Sequence, residues 1–414
     1  MSFRKRAEPL APGRTPMGAS PLVSGRAPLG GRVPITGGLN RAPPTLAQAK
    51  KPESSDIVSA NPGVRPSPST SDPTISTGCA DLDRILAHQG LPLGHSLLVE
   101  ESGSTDFASV LLRAFAAQGI FHDRLEKDKR FCHVVVVGAP EAWINDLPGE
   151  YKGGSKEQKR AKIAADSSKV SVSNMADKDL KIAWRYGLQK KGNGAAEEEK
   201  PNDTVYEHYT TQFDITQRLV PGASSQEVSF VPLSANYQSI VSHIRKIVQK
   251  QIENSPAKVV RIVVPGFLNP SIYPPSASAS TFIVPLFHSL QSLLRTFSKN
   301  AALIASIPLD LYPRESVLTS LFEQFADGVV YLQPFNQEME ALLERAYKNE
   351  PSKIQQGLVN VIKVPILSAK GMMMIRDGEY AFRNGRKRFA IEEWGIPVDD
   401  TEEEEPQTKQ NIDF

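Results

Sequence analysis

The sequence predicts an α/β fold built on a layered, mostly parallel sheet. Three observations carry this. Apolar strand-like runs alternate with amphipathic helix-like segments over most of the chain. The VVVV run within 130–140 shows no apolar/polar alternation, as expected of a strand covered on both faces. Residues 95–115, HSLLVEESGSTDFASVLLRAF, read as a buried strand, a small-residue turn and a helix, the shape that opens a phosphate-binding loop.

Residues 1–72 hold twelve prolines, and ten Lys/Arg against four Asp/Glu. With few large apolar residues, this stretch cannot offset its ordering entropy and is expected to be a disordered basic head. Regular structure is expected from Asp72. ISTGCADLDRILAHQGLPLG alternates short helix-like pieces with Gly/Pro breaks, and SLLVE (96–100) is a continuous apolar strand. Residues 106–120 place Phe107, Val110, Leu111, Ala114 and Phe115 at helical spacing, with Gly119 as the stop. A strand follows at 130–140.

Residues 148–228 break the pattern. Within 152–191 there are eleven Lys/Arg and four Asp/Glu, which reads as a long, partly disordered basic insertion anchored by KIAWRY (181–186). A helix at 237–252 then lines Ile240, Val241, Ile244, Ile247, Val248 and Ile252 on one face. A strand is expected at 259–267, a helix at 281–300, a strand at 301–308, a helix around SVLTSLFEQF and a strand at 327–335. Residues 357–367 and 379–394 read as a closing antiparallel pair. One domain, 73–398, thus carries the insertion, and an acidic tail, 399–414, ends the chain with six acids in 399–405.

Composition sets further bounds. The 414 residues carry a formal charge of only +2, so total charge names no partner. The two cysteines, Cys79 and Cys132, form no CxxC or Cys/His cluster and read as core thiols in a reducing compartment. No stretch offers the roughly eighteen uncharged apolar residues of a membrane helix, and no apolar run follows the N-terminal FRKR, so a soluble intracellular protein without membrane contact is expected. Histidines in HxxxH or HExxH spacing are absent, as is a GxSxG turn; no metal, cofactor or catalytic nucleophile is expected.

The loop itself lacks its chemistry. A working GxxxxGK[ST] loop wraps phosphate in backbone N–H groups, neutralises it with lysine and holds magnesium through its hydroxyl. Here the segment is Glu100, Glu101, Ser102, Gly103, Ser104, Thr105 and Asp106, with Asp106 near the lysine slot and no lysine anywhere from 52 to 126. Two or three carboxylates would face a polyphosphate. Like unit charges at 4 Å repel by roughly 1 kcal/mol in water and about 4 at an effective dielectric of 20. Ser104, Thr105 or Asp106 is expected to cap the helix instead. A magnesium-ordering carboxylate is missing too, because the candidate strand RIVVPGF ends in Pro265.

The entry segment, STGCADLDRILAHQGLPLGHSLLVEE, resembles that of RecA-type proteins through Ser76, Thr77, Gly78, Leu82, Asp83, Leu86, Gly90, Leu91, Pro92 and Gly94. Together with the lysine-free loop, KIAWRY and RKRFAIEEWGIPVDD (386–400), it closely resembles the PAXNEB family, the fourth-subunit family of the Elongator complex, over about residues 63–400. This resemblance implies a RecA-like three-layer fold. It further implies a noncatalytic subunit that joins Elongator subunits five and six in a hetero-hexameric ring of two copies each. Such a ring docks on the catalytic subcomplex, binds tRNA and supports C5 modification of the wobble uridine, in cytoplasm and nucleus. Two other readings stay open: an active RecA/KaiC-like ATPase with an unusual loop, and a structural scaffold without RNA contact.

Candidate RNA contacts are Lys181, Arg185, Lys190 and Lys191 in the insertion, and Arg386, Lys387 and Arg388 in RNGRKRF (383–389), which reads first as meeting an acidic face of a neighbouring subunit. Trp184 and Tyr186 could stack on unpaired bases, but Ile182, Trp184 and Tyr186 are better read as interface or core residues. The loop PGFLNPSIYPPSASAS (265–280) lies where α/β folds place ligand loops. It carries no Lys or Arg and reads first as a plain connection.

Overall fold

Regular structure begins at Ser55, ahead of the boundary expected at Asp72. The computed structural model describes residues 55–153, 206–368 and 378–395, all within one unit, Lys51–Phe414. Helix α1 (Ser55–Ala60) leads to a small antiparallel sheet of β1 (Val64–Pro66), β2 (Pro73–Ile75) and β3 (Leu91–Pro92), with α2 (Ala80–Ile85) between the last two. This segment is not a solvated head because it has anchors. Ile57 and Val64 are buried, and the Asn61 side-chain amide donates to Phe131 O (2.9 Å) and Ala257 O (2.8 Å) at the foot of the main sheet.

The main sheet starts with β4 (Ser96–Glu101), followed by α3 (Phe107–Asp123) and β5 (Cys132–Val137). Next come β6 (Pro148–Glu150), β7 (Phe213–Arg218) and β8 (Val228–Val231). The rest is α4 (Tyr237–Asn254), β9 (Val259–Val264), α5 (Ser280–Thr296), β10 (Ala301–Pro308), α6 (Val317–Phe325), β11 (Gly328–Pro334), α7 (Gln337–Ala346), β12 (Gly357–Lys363), β13 (Tyr380–Asn384) and β14 (Phe389–Glu393). Nine strands form one sheet in the order β14-β13-β12-β11-β4-β10-β9-β5-β8. From β11 to β8 every pairing is parallel, and β12 to β14 continue antiparallel. The layered α/β fold is therefore as the strand–helix alternation requires.

Period-two alternation divides the core between two faces. In β10, Ala302 and Ile304 pack with Leu111, Phe115 and Ile120 of α3, while Leu303, Ala305 and Ile307 pack with α4, α5 and α6 through Ile244, Ile283, Leu290 and Phe322. Both cysteines lie buried, and burial raises their thiols to about 12 (Cys79) and 11 (Cys132), which leaves them protonated.

Three further expectations need correction. Helix α3 does not stop at Gly119 but runs on to Asp123. A Cβ at Gly119 would lie 2.7 Å from Arg261 Cδ and 3.0 Å from Cys132 Sγ, so the glycine permits close helix–sheet approach rather than a helix end. The closing pair is three strands, because 379–394 folds back on itself as β13 and β14. Finally, the region 148–228 is not all insertion: β6 pairs with β7, and β8 extends the parallel sheet beside β5. KIAWRY lies outside the described residues.

Candidate functional site

The turn after β4 sits at the carboxyl ends of the parallel strands, where chain direction diverges on the two sides of the sheet. Such switch points are where open α/β sheets hold ligands. Here β4 feeds α3 on one face, whereas its neighbour β10 leads to α6 on the other. A cavity of about 240 Å³ opens at this point, lined among others by Glu101, Asp106, Arg113, Trp143, Asn269 and Ser306.

The two glutamates that end β4 point to opposite faces. Glu101 turns to the start of α3, where its Oε2 accepts hydrogen bonds from Ala108 N (3.0 Å) and Thr105 Oγ1 (3.3 Å). A helix N-terminus favours an anion through its unpaired N–H groups and its dipole. The chain's own carboxylate thus takes the place that the loop would give a phosphate. The cap expected from Ser104, Thr105 or Asp106 is not made: the N-cap residue Asp106 forms no side-chain cap bond, and Ser104 pairs with the Ser102 hydroxyl at 2.9 Å. Glu101 wins because it is buried and needs donors, while the shorter side chains have solvent. Burial raises its pKa to about 7, against the Ala108 N–H and together with the nearby Asp106 charge.

Glu100 is fully buried on the other face, and neither of its oxygens has a hydrogen-bond partner. Arg314 Nε lies 3.5 Å from its Oε2 but donates at 2.9 Å to Glu323 Oε1. Burial raises Glu100 to about 7; Arg314 opposes the shift and Glu323 adds to it. Glu100 therefore does not face the cavity, as the linear motif implied, and Arg314 and Glu323 were invisible without the fold. Ser102 Oγ also donates to Asp310 Oδ1 at 3.1 Å, bracing the turn against the segment after β10. Among the described residues, the only cation lining the cavity is Arg113.

Strand β9 ends at Val264, with Pro265 next and no carboxylate, and its central residue Arg261 is buried on the α3 face. Its Nη1 donates to Ser76 O (2.7 Å) and Phe115 O (3.2 Å), and the guanidinium lies 4.5 Å over the Phe115 ring. The entry motif is built around the same place. Asp83 accepts from Ser76 Oγ (2.5 Å), Thr77 N (2.7 Å) and Thr77 Oγ1 (2.6 Å), and burial raises it to about 6 against these bonds. Gly78 takes φ +83°, and a Cβ there would meet Ala114 O at 2.4 Å. The STG–LD pattern is thus a buried turn that seats α2 and α3, not a ligand contact.

The 265–280 loop packs as a connection. Phe267 and Tyr273 are buried against each other with ring centroids 5.6 Å apart, and Tyr312 Oη donates to Leu268 O at 3.0 Å. Lys181, Arg185, Lys190 and Lys191, like Ile182, Trp184 and Tyr186, lie outside the described residues. Arg386, Lys387 and Arg388 form the exposed turn between β13 and β14. Lys387 Nζ lies 6.0 Å and Arg388 Cζ 5.5 Å from the ring centre of Tyr151, and Ile215 N donates to Lys387 O at 2.9 Å. The turn is thereby held against the β6–β7 pair. Tyr151, at the point where the basic 154–205 segment leaves, was missed because its sequence distance from the turn hides the contact. Among the described residues no group of three or more His, Cys, Asp or Glu is placed to hold a metal, and no helix is long and apolar enough to cross a membrane.

Comparison with known proteins agrees with the resemblance. The family model described as PAXNEB protein matches residues 58–413. A relative from Saccharomyces cerevisiae named Elongator complex protein 4 is 40% identical over 97% of this chain and 93% of its own. Proteins of the same name from Schizosaccharomyces pombe and Xenopus laevis are 28% and 25% identical, over 83% and 85% of this chain and 90% and 87% of theirs. With its lysine-free loop closed by Glu101 and its family match running almost the full described length, the chain belongs to the PAXNEB family.

Proposed function

We propose that this chain is a noncatalytic subunit of the Elongator complex. With subunits five and six it builds a hetero-hexameric RecA-like ring, which docks on the catalytic subcomplex, binds tRNA and supports C5 modification of the wobble uridine in cytoplasm and nucleus. The Elongator assignment rests on the relatives' name. The noncatalytic role rests on one observation above others: Glu101 Oε2 accepts from the Ala108 N–H at the start of α3, so a polyphosphate would have to displace an internal carboxyl group without any lysine to help. The exposed turn Arg386–Arg388 is the described surface that fits RNA phosphates, and Lys181, Arg185, Lys190 and Lys191 would add to it.

Native mass spectrometry of the endogenous tagged protein tests this. The expected result is a hetero-hexamer with two other chains, part of it carrying tRNA and larger partners. A monomer or homo-oligomer that retains ATP would overturn the reading and return the loop to the working nucleotide sites.

A further inference from the structure

We propose that the turn Arg386–Lys387–Arg388 is the docking surface for this chain's own acidic run, residues 399–405, which competes there with nucleic-acid phosphate. The proposal rests on the reading of that turn as an RNA contact and adds a regulator to it.

The surface is defined by what its cations lack. Arg383, in the same hairpin, is paired with Glu392 at 2.6 Å. The three cations of the turn are exposed, and among the described residues none has a carboxylate within ion-pair distance. They are also held in place. Lys387 and Arg388 rest over Tyr151, and the backbone of Lys387 accepts from Ile215 N at 2.9 Å. Fixed, unpaired positive charge in water favours an anion with several charges close together.

The densest such anion in the sequence is the run of six acids within 399–405, against three in Glu197–Glu199. Its reach matches. The described chain ends at Gly395, seven residues after Arg388, with Trp394 N still bonded to Glu379 O of the hairpin at 2.7 Å. At about 3.3 Å per residue the end lies about 23 Å from the turn. Seven extended residues beyond Gly395 span up to about 25 Å, so Glu402 can just reach the turn and Glu403, Glu404 and Glu405 reach it with slack. Asp399 and Asp400 fall along the return path. Tethering over so short a span gives an effective concentration on the order of millimolar, enough for weak surface pairs to compete with RNA. The competition is screened by salt, with a Debye length of about 10 Å at 0.1 M.

The test uses the full-length chain in its native complex. Zero-length carbodiimide crosslinking followed by mass spectrometry should join Lys387 to a carboxylate within 399–405 at about 0.05 M salt and lose the link near 0.5 M. A variant with Asp399→Asn, Asp400→Asn, Glu402→Gln, Glu403→Gln, Glu404→Gln and Glu405→Gln should bind tRNA about three- to ten-fold more tightly at low salt, with the gain gone at high salt. Links from the run only to other lysines or to a partner subunit would overturn the proposal. So would unchanged tRNA affinity in the neutralised tail when reversal of the turn's charges does weaken tRNA. If charge reversal of the turn leaves tRNA affinity unchanged, the RNA reading of the turn fails instead, and the Lys387 crosslink still decides whether the tail docks.

Discussion

The turn after β4 and the turn between β13 and β14 both follow a strand and both gather like charge, and they treat it in opposite ways. At the first, Glu100 and Glu101 are drawn inside, one against Arg314 and the other onto the start of α3. At the second, Arg386, Lys387 and Arg388 stay in water, steadied from below by Tyr151. A charged group that is buried must find its partners within the chain, whereas one left in water keeps its capacity for an outside partner. Glu101 thus finds its donors within the chain, Glu100 is left with only the nearby Arg314, and the three cations stay exposed on a hairpin at the edge of the sheet.

The largest expected effect breaks the first half of that contrast. A carboxyl whose folded pKa is raised holds its proton longer in the native state than in the unfolded chain. Stability contributed by Glu100 and Glu101 is therefore full below about 4.5, falls as pH rises, and levels off above about 7. The loss is on the order of 3 kcal/mol per group. Urea unfolding should show Glu100→Gln near wild type at pH 5 and clearly more stable than wild type at pH 8. A difference of the same size at both pH values would mean that Glu100 does not titrate as its burial demands.

The second prediction concerns the exposed turn. Reversing Arg386, Lys387 and Arg388 to Glu should weaken tRNA binding about ten-fold or more near 0.1 M salt and reduce the slope of log affinity against log salt by about 2 to 3. Thermal stability should hardly move, because the three side chains are exposed. Fluorescence anisotropy across a salt series reads both affinity and slope.

A third, smaller effect concerns the cap alone. Glu101→Ala leaves the Ala108 N–H without its acceptor and should cost about 1 to 2 kcal/mol, with Glu101→Asp recovering little because the shorter side chain falls short of the helix. The smallest effect is a null. Asp106→Lys supplies the missing lysine, yet with Glu101 still on the helix it should yield no ATP binding by calorimetry up to about 1 mM, equivalent to about 4 kcal/mol. Clear binding by that variant would show that the lysine, not the internal anion, closes the site.

Much of the fold was legible. Strand 301–308 lies where its continuous apolar run put it, and α4 buries Ile240, Val241, Ile244 and Val248 from the expected face. Gly119 misled because a helix stop and a close helix–sheet contact leave the same residue in the sequence. The anchors of α1 misled likewise: proline-rich surroundings dominate composition, while the Asn61 bonds that hold the segment join it to residues far along the chain. At the site, the missing lysine was plain, but which acid would cap α3 was not.

The sequence alone determined the layered α/β architecture, because apolar periodicity is local, and it determined that the turn after β4 carries no lysine. Only the tertiary structure decided that Glu100 and Glu101 part to opposite faces and that the 386–388 turn rests on Tyr151. Those outcomes depend on burial and on partners brought together from distant segments, and desolvation acts on a charge only once the fold has closed around it.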